Sequence, residues 1–317
     1  MDNFAELHLH IEGTLEPEYL MELQARKNGT QLETIDELRK KYSFSDLQDF
    51  LNLYYESMQM LNASDDYSEL ADRYFQRVVG TGLTQVEAFF DPQTHGANGN
   101  SFETVFKALA NSFQQANDKY GINARLIMCF ERDRGPEAAK KTLDDVFAFF
   151  ENKENDVFSN LLIGVGLDSA EAPFPPAPFA GVYERARNYG LHLVAHAGEE
   201  GSPENIWSAL DDLGVERIDH GVRALEDEAL LKRLEKDRVP LTVCPLSNYA
   251  LKVVDSKKSA VRKVLDLLDK GIMVTVNSDD PAYFGGYIDD NYELLRSEGV
   301  GEDVIELLMQ NSLKAAF

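Results

Sequence analysis

The sequence predicts an α/β protein, a (β/α)8 TIM barrel with a helical cap inserted after the first strand. Eight short apolar runs recur along the 317 residues, and most are separated by one segment with helical periodicity. The first connection alone is several helices long. Strands that alternate with helices form a parallel sheet, and eight such units fit a closed barrel better than a doubly wound sheet of about five or six strands.

The eight predicted strands are rich in Val, Ile, Leu and Phe. They cover residues 4–10, 85–91, 124–130, 161–168, 191–198, 216–221, 240–248 and 273–280. Predicted helices include 101–120, 136–150 and 257–270. Gly121 and Gly271 are placed to end two of these helices, because glycine readily adopts the left-handed conformation found there.

The first connection, residues 14–80, contains three or four helical segments instead of one. An insertion after a barrel strand lies on the C-terminal face, where substrates bind, so this segment is predicted to be a cap or lid. The alternative is a separate small helical domain, but no Gly/Ser/Pro linker bounds the segment. The prediction is therefore one domain over residues 1–317.

The charge and hydropathy exclude several classes of partner. With 55 acidic and 31 basic side chains the net charge is −24, which argues against binding a phosphate backbone. The chain has no apolar run of the ~18–20 residues needed to span a membrane and no signal-peptide pattern at its start. Cys129 and Cys244 lie in apolar runs and are expected to be reduced core residues of a cytoplasmic protein. The oligomeric state stays open.

Four of the six histidines in the chain lie at the ends of predicted strands. His8 and His10 are two residues apart on the first strand, so both rings lie on one face. His196 ends the fifth strand and is followed three residues later by Glu199, and His220 ends the sixth. Barrel enzymes keep their catalytic groups at this end of the strands.

Asp279 and Asp280 follow the apolar run of the eighth strand, where a carboxylate is costly unless it binds a cation or a hydrogen-bond donor. Three imidazoles and a carboxylate on one face make a nitrogen and oxygen site suited to zinc, with iron or manganese as alternatives. A metal there would lower the pKa of a bound water from ~15.7 toward neutrality. The expected chemistry is therefore hydrolysis.

Five motifs, in order, resemble the adenosine/adenine deaminase family: Glu-Leu-His-Leu-His-Ile-Glu-Gly-Thr at 6–14, His-Ala-Gly-Glu at 196–199, Ile-Asp-His-Gly at 218–221, Val-Cys-Pro-Leu-Ser-Asn at 243–248 and Asn-Ser-Asp-Asp-Pro at 277–281. The resemblance covers nearly the whole chain. It implies a divalent metal, usually zinc, bound by His8, His10, His196 and Asp279.

The same resemblance implies the roles of four further residues. Glu199 would donate a proton to the purine ring, and His220 would orient the attacking water and help to deprotonate it. Asp280 would hydrogen-bond ring nitrogen N7, and the backbone N–H of Gly166 would contact N3. Burial is expected to raise the pKa of Glu199, so that it is protonated when substrate binds.

Departures from the nucleoside-specific pattern look like the adenine deaminase branch, which acts on the free base. Glu12 replaces the Asp of His-Leu-Asp-Gly and is expected to intrude on the space for ribose. The segment 166–171 lacks the longer Gly-Asp-Glu ending, and Phe-Phe-Asp-Pro-Gln-Thr-His stands at 89–95. Glu171 is expected to meet the N3/N9 edge of the base. His95 either lines the pocket or is a loop histidine without a function.

The predicted function is hydrolytic deamination of adenine to hypoxanthine and ammonia, with a small purine as substrate. The alternatives are an adenosine deaminase, another metal-dependent amidohydrolase and a purine-binding pseudoenzyme. The last is disfavoured because every predicted ligand and proton-transfer residue is present. Family members usually carry several residues before the first motif strand, so a short segment that closes the bottom of the barrel is expected to be missing before residues 1–5.

Overall fold

A closed ring of eight parallel strands forms the centre of the molecule, which is a computed structural model describing residues 3–28 and 33–317. Each strand pairs with its neighbour in chain order, and a parallel bridge between Leu9 and Asp279 joins the first strand to the segment after the last. The predicted barrel is confirmed. Its strands are β1 Phe4–His10, β2 Leu83–Phe90, β3 Asn123–Glu131, β4 Leu162–Asp168, β5 His192–Ala197, β6 Arg217–His220, β7 Leu241–Val243 and β8 Val274–Val276.

The last two strands are much shorter than predicted. Strand β7 stops at Val243 and β8 at Val276, where the sequence pattern extended each to 248 and 280. Proline explains part of the difference, because it cannot donate to a strand ladder and fits the first position of a helix. Pro245 begins a short helix after Cys244, and Pro281 begins another after the segment 277–280, which carries Asp279.

The described residues contain fifteen α-helices. They are α1 Pro17–Asn28, α2 Ile35–Lys41, α3 Leu47–Met58, α4 Ser64–Val78, α5 Pro92–Ala97, α6 Phe102–Tyr120, α7 Pro136–Glu151, α8 Ala180–Tyr189, α9 Pro203–Ser208, α10 Glu228–Asp237, α11 Pro245–Ala250, α12 Lys257–Asp269, α13 Pro281–Phe284, α14 Ile288–Ser297 and α15 Glu302–Ala315. Over the described ranges, no helix combines the length and the hydropathy that crossing a membrane requires.

The predicted helices end as their capping residues indicate. Ser101 caps α6 by accepting a hydrogen bond from the backbone N–H of Thr104, and Gly121 ends that helix with φ of +68°. Gly271 follows α12 with φ of +78°. Cys129 and Cys244 are buried free thiols, as the apolar runs around them predicted.

Four helices lie between β1 and β2, in the segment predicted as a cap. Helix α3 covers the barrel mouth, where Phe50 and Tyr54 pack against Tyr283 and Phe284 of α13. Helix α4 instead packs against α6, as a helix of the outer ring does. The part over the mouth is thus smaller than residues 14–80, and its motion as a lid stays a prediction.

Candidate active site

Four of the predicted site residues meet at the C-terminal face of the barrel. His8 and His10 come from β1, His196 from β5, and Asp279 follows β8, and one ligand atom from each lies within 4.8 Å of the others. All four are buried. The structure therefore brings together the complete predicted metal-ligand set.

The distances within this cluster fit a bound cation. The Nε2 atoms of His10 and His196 lie 3.1 Å apart, and His8 Nε2 lies 3.3 Å from Asp279 Oδ1. His8 Nε2 is buried without a hydrogen-bond partner. Facing nitrogen lone pairs repel one another, so a divalent metal ion that accepts them would stabilise this arrangement.

Barrel closure places Asp279 among the imidazoles. Its backbone N–H donates to the His8 carbonyl at 3.0 Å, and its own carbonyl accepts from the His10 N–H at 2.9 Å. Asp279 has φ of +66°, a left-handed conformation that is uncommon outside glycine. Strain of this kind persists where the surrounding structure enforces it, here by hydrogen bonds on both sides.

Asp219 in β6 lies behind two histidines of the cluster, close to His196 and linked to His8 through Thr242, which the motifs did not indicate. Thr242 Oγ1 lies 2.9 Å from His8 Nδ1 and donates to Asp219 Oδ1 at 2.9 Å. The other Asp219 oxygen lies 3.6 Å from His196 Nδ1. Contacts at Nδ1 leave Nε2 free to face a metal. The signal in the sequence was a carboxylate between Ile218 and His220 in the predicted sixth strand.

The charge states suit metal binding. Burial lowers the pKa of His10 to about 4, and burial with the neighbouring imidazoles lowers the pKa of His196 well below its usual value. Burial alone would raise the pKa of Asp279, but the imidazoles around it, His8 foremost, hold that pKa well below the ordinary range. His10 and His196 are therefore in the neutral form that binds a metal. Burial would lower the pKa of His8 as well, but the ionised Asp279 raises it above its usual value.

Glu199 and His220 lie beside the cluster. Glu199 Oε2 is 3.5 Å from His220 Nε2, which is 3.7 Å from Asp279 Oδ2. The Asn248 amide nitrogen lies 3.4 Å from His220 Nδ1 and fixes the ring. Burial, followed by the charge of Asp279, raises the pKa of Glu199 well above its usual value, while burial lowers the pKa of His220 to about 3. Burial therefore favours the uncharged form of both facing groups.

Asp280 is buried and lines the same pocket. Burial, then the charge of Asp279, raises its pKa well above the usual range, so it can donate a hydrogen bond. Gly13 leaves the space that Asp280 occupies, because a Cβ at position 13 would lie 2.2 Å from Asp280 Oδ1. The glycine of the first motif is thus required by the aspartate of the last.

Glu171 does not meet the substrate edge, contrary to expectation. Its carboxylate accepts the backbone N–H groups of four consecutive residues, 198–201, at 2.6–3.0 Å, and the Asn205 amide at 3.1 Å. Both oxygens are therefore occupied. Glu171 instead holds the turn that carries Glu199.

Gly166 does not reach the pocket either. It lies inside β4, paired with Cys129, whose Sγ would be 2.6 Å from an added Cβ. The strand continues to Asp168, and the chain turns at Ser169, which has φ of +72° and lines the pocket. Gly166 lies two residues before the end of β4, whereas Asp168 at that end and Ser169 after it line the pocket.

Glu12 and His95 form a buried pair outside the pocket lining. His95 Nε2 lies 2.8 Å from Glu12 Oε1, and His95 Nδ1 lies 3.1 Å from the Tyr67 hydroxyl. The same Glu12 oxygen accepts the backbone N–H of Asp91 at 3.0 Å. Glu12 was expected to intrude on the space for ribose, but its carboxylate pairs with His95 and it does not line the pocket.

A pocket lies at the barrel mouth, beside the four-residue cluster. The barrel contributes polar lining, and the helices above contribute apolar and aromatic lining. The lining residues are His10, Asp91, Asp168, Ser169, His196, Glu199, His220, Asp279 and Asp280 from the barrel, and Leu47, Phe50, Leu51, Tyr54, Tyr55, Leu251 and Phe284 from elsewhere. Convergent polar groups beneath an apolar and aromatic cover are suited to binding a small molecule.

Comparison with known proteins agrees with this site. The adenosine deaminase family pattern matches residues 4–317. The chain belongs to the adenosine deaminase family. Membership confirms the predicted class, a metal-dependent aminohydrolase, at the level of the family.

Relatives within the adenosine deaminase family place the chain in the predicted branch. A Streptomyces coelicolor protein named adenine deaminase is 49% identical over 316 residues, covering 99% of this chain and 89% of that protein. One from Pseudomonas syringae pv. syringae with the same name is 47% identical, covering 98% and 95%. The crystal structure of adenine deaminase from Arthrobacter aurescens superposes with a TM-score of 0.92 at 42% identity, covering 100% and 94%.

A more distant solved structure shares the fold. An amidohydrolase from Burkholderia ambifaria, solved with bound Zn, superposes with a TM-score of 0.85 at 23% identity, covering 99% of this chain and 85% of that one.

Proposed function

We propose that this protein is an adenine deaminase, which converts adenine and water to hypoxanthine and ammonia. The observation that carries the proposal is the buried Glu199 carboxyl, 3.5 Å from His220 and directly beside the four-residue cluster, where burial raises its pKa. Relatives that are 47–49% identical over nearly the whole chain are named for this activity.

His8, His10, His196 and Asp279 would hold one divalent metal ion. Zinc suits three imidazoles and a carboxylate, and it is bound in the Burkholderia ambifaria structure. Such a metal supplies Lewis acidity that lowers the pKa of a water in the pocket. Asp219 and Thr242 keep the ligands His8 and His196 in the orientation that this requires.

The proton transfers follow from the charge states of the side chains. Glu199 donates a proton to ring nitrogen N1, which withdraws electron density from C6 and makes it a better electrophile. His220 orients the attacking water and takes one of its protons as the C6–O bond forms. That proton passes to the amino group, which leaves as ammonia when the C6–N bond breaks. The remaining hydroxyl proton returns to Glu199, and hypoxanthine keeps the proton on N1.

Asp280 fixes the orientation of the purine in this scheme. Its protonated carboxyl donates a hydrogen bond to N7, while Glu199 meets N1, so that C6 lies between the two acids and near His220. The substrate is a small purine, since a net charge of −24 repels the phosphates of nucleic acid. Two free buried thiols are consistent with a cytoplasmic site of action.

Steady-state deamination by metal-loaded protein tests the proposal. We expect ammonia release with adenine, and a kcat/KM for adenine well above that for adenosine. Preference for adenosine would instead identify an adenosine deaminase. Absence of ammonia with either compound, from protein that contains one metal ion per chain, would overturn the proposal. Elemental analysis distinguishes zinc from iron and manganese.

A further inference from the structure

Two buried carboxyl groups in the pocket take no part in the proton transfers above, and one of them, Asp168, has Oδ2 3.7 Å from Nδ1 of His10. Asp91 follows β2 and Asp168 ends β4, and they are 3% and 4% exposed. A carboxylate oxygen from each and a nitrogen of His10 lie within 4.8 Å of one another. Each acid has one oxygen, Oδ1, that is buried without a hydrogen-bond partner. A buried acceptor without a partner is costly, so these oxygens indicate a donor that arrives with a ligand.

The barrel places this pair opposite the reacting edge of the purine. Glu199 follows β5 and Asp280 follows β8, and His220 at the end of β6 lies on the arc between them. With N1 at Glu199 and N7 at Asp280, the C6 edge of the purine faces the side of the barrel mouth formed by strands β5 to β8. The remaining edge, N3 to N9, then faces the side formed by strands β1 to β4. Asp91 and Asp168 are the lining carboxyl groups on that side.

Free adenine has an N–H donor at this edge, because N9 carries a hydrogen. In adenosine the sugar replaces that hydrogen, so the donor is lost and bulk is added. We propose that Asp91 and Asp168 form a subsite that accepts the N9–H of the free base and thereby selects it over N9-substituted purines. The inference rests on the proposed function for the orientation of the ring. The subsite also fits the role of Asp280, because the adenine tautomer with hydrogen on N9 leaves N7 free to accept a hydrogen bond from Asp280.

Surrounding contacts hold the pair in place. The Tyr54 hydroxyl of α3 donates to Asp91 Oδ2 at 3.3 Å, and the Asp91 backbone N–H donates to Glu12 at 3.0 Å. Arg132, which is buried, donates from Nε to the Asp168 carbonyl at 3.1 Å. Glu12 is therefore a positioning residue that acts through the backbone of Asp91. This accounts for a glutamate in the first motif without any contact to a sugar.

Comparison of adenine with 9-methyladenine tests the subsite, because 9-methyladenine lacks the N9 hydrogen and adds only a methyl group. We expect wild-type kcat/KM to fall at least about 10²-fold from adenine to 9-methyladenine, because a site built for a donor rejects the analogue that lacks it. The ratio of kcat/KM for adenine to kcat/KM for 9-methyladenine is also measured for Asp91→Asn and for Asp91→Ala/Asp168→Ala. We expect this ratio to fall at least about tenfold in the double variant, and to fall in the single variant as well.

The control is Asp133→Asn, which changes the same kind of side chain at an exposed position after β3 and should leave the ratio unchanged. Metal content and thermal melting identify variants that fail to fold. Equal use of adenine and 9-methyladenine by the wild type, or an unchanged ratio in folded, metal-loaded variants, would overturn the inference.

Calorimetric binding of both purines gives a second readout. Tight adenine binding without turnover, with 9-methyladenine excluded, would refute the proposed function and support the subsite. Turnover of adenine with an equal kcat/KM for 9-methyladenine would support the proposed function and refute the subsite.

Discussion

Replacing Glu171 by glutamine should loosen the turn that presents Glu199. One carboxylate oxygen accepts the Gly198 N–H and the Asn205 amide, and the other accepts three backbone N–H groups. The amide NH2 of glutamine cannot accept, so whichever oxygen it replaces, at least two hydrogen bonds are lost. Hydrogen bonds to a charged group contribute about 1.5–3 kcal/mol each. We therefore expect the free energy of unfolding to fall by at least about 3 kcal/mol.

Activity should fall with stability, because the turn positions the proton donor without touching the substrate. We expect kcat for adenine to drop at least about tenfold, since small misplacements of a catalytic group are costly. Metal content should be unchanged, as Glu171 is not among the four ligands. Chemical denaturation, kcat and elemental analysis measure these effects, with Glu184→Gln on the exposed face of α8 as the control. A Glu171→Gln protein within 1 kcal/mol of wild-type stability at ~25 °C, with normal kcat, would refute this account.

Three further changes have distinct expected outcomes. Glu199→Gln should keep its metal but lose about 10²–10⁴-fold in kcat, because it cannot protonate N1; near-normal turnover would contradict the proton-donor role. Gly13→Ala should lower kcat/KM about 10²-fold by displacing Asp280, whose Oδ1 would lie 2.2 Å from the new Cβ, and unchanged kinetics would show that the pocket adjusts. Burial raises the pKa of Glu6 from 4.5 to about 7, so the fold favours its protonated form. Its contribution to stability is present below pH 4.5 and is lost as pH rises to about 7, a change of about 3 kcal/mol. Denaturation curves across this pH range should show a flatter dependence for Glu6→Gln, and parallel curves for both proteins would count against the assignment.

Local sequence was enough to predict the barrel and the four residues of the His/Asp cluster. The period-2 spacing of His8 and His10 puts both rings on one face of a strand, whatever lies elsewhere in the chain. His196 and Asp279 could be added because the C-terminal ends of barrel strands meet at one face. The helix limits at Ser101 and Gly121 were equally readable, since caps depend on residues within one turn.

Only the tertiary structure decided what the remaining buried acids do. Asp219, Glu171, Asp91 and Asp168 are all carboxylates near strand ends, and nothing in their neighbours along the chain separates them. Their partners come from other strands: imidazoles for Asp219, a ring of backbone N–H groups for Glu171, and the open pocket for the last two. The environment of a buried charge is set by groups distant in sequence, so its role follows from how the barrel closes and in which register.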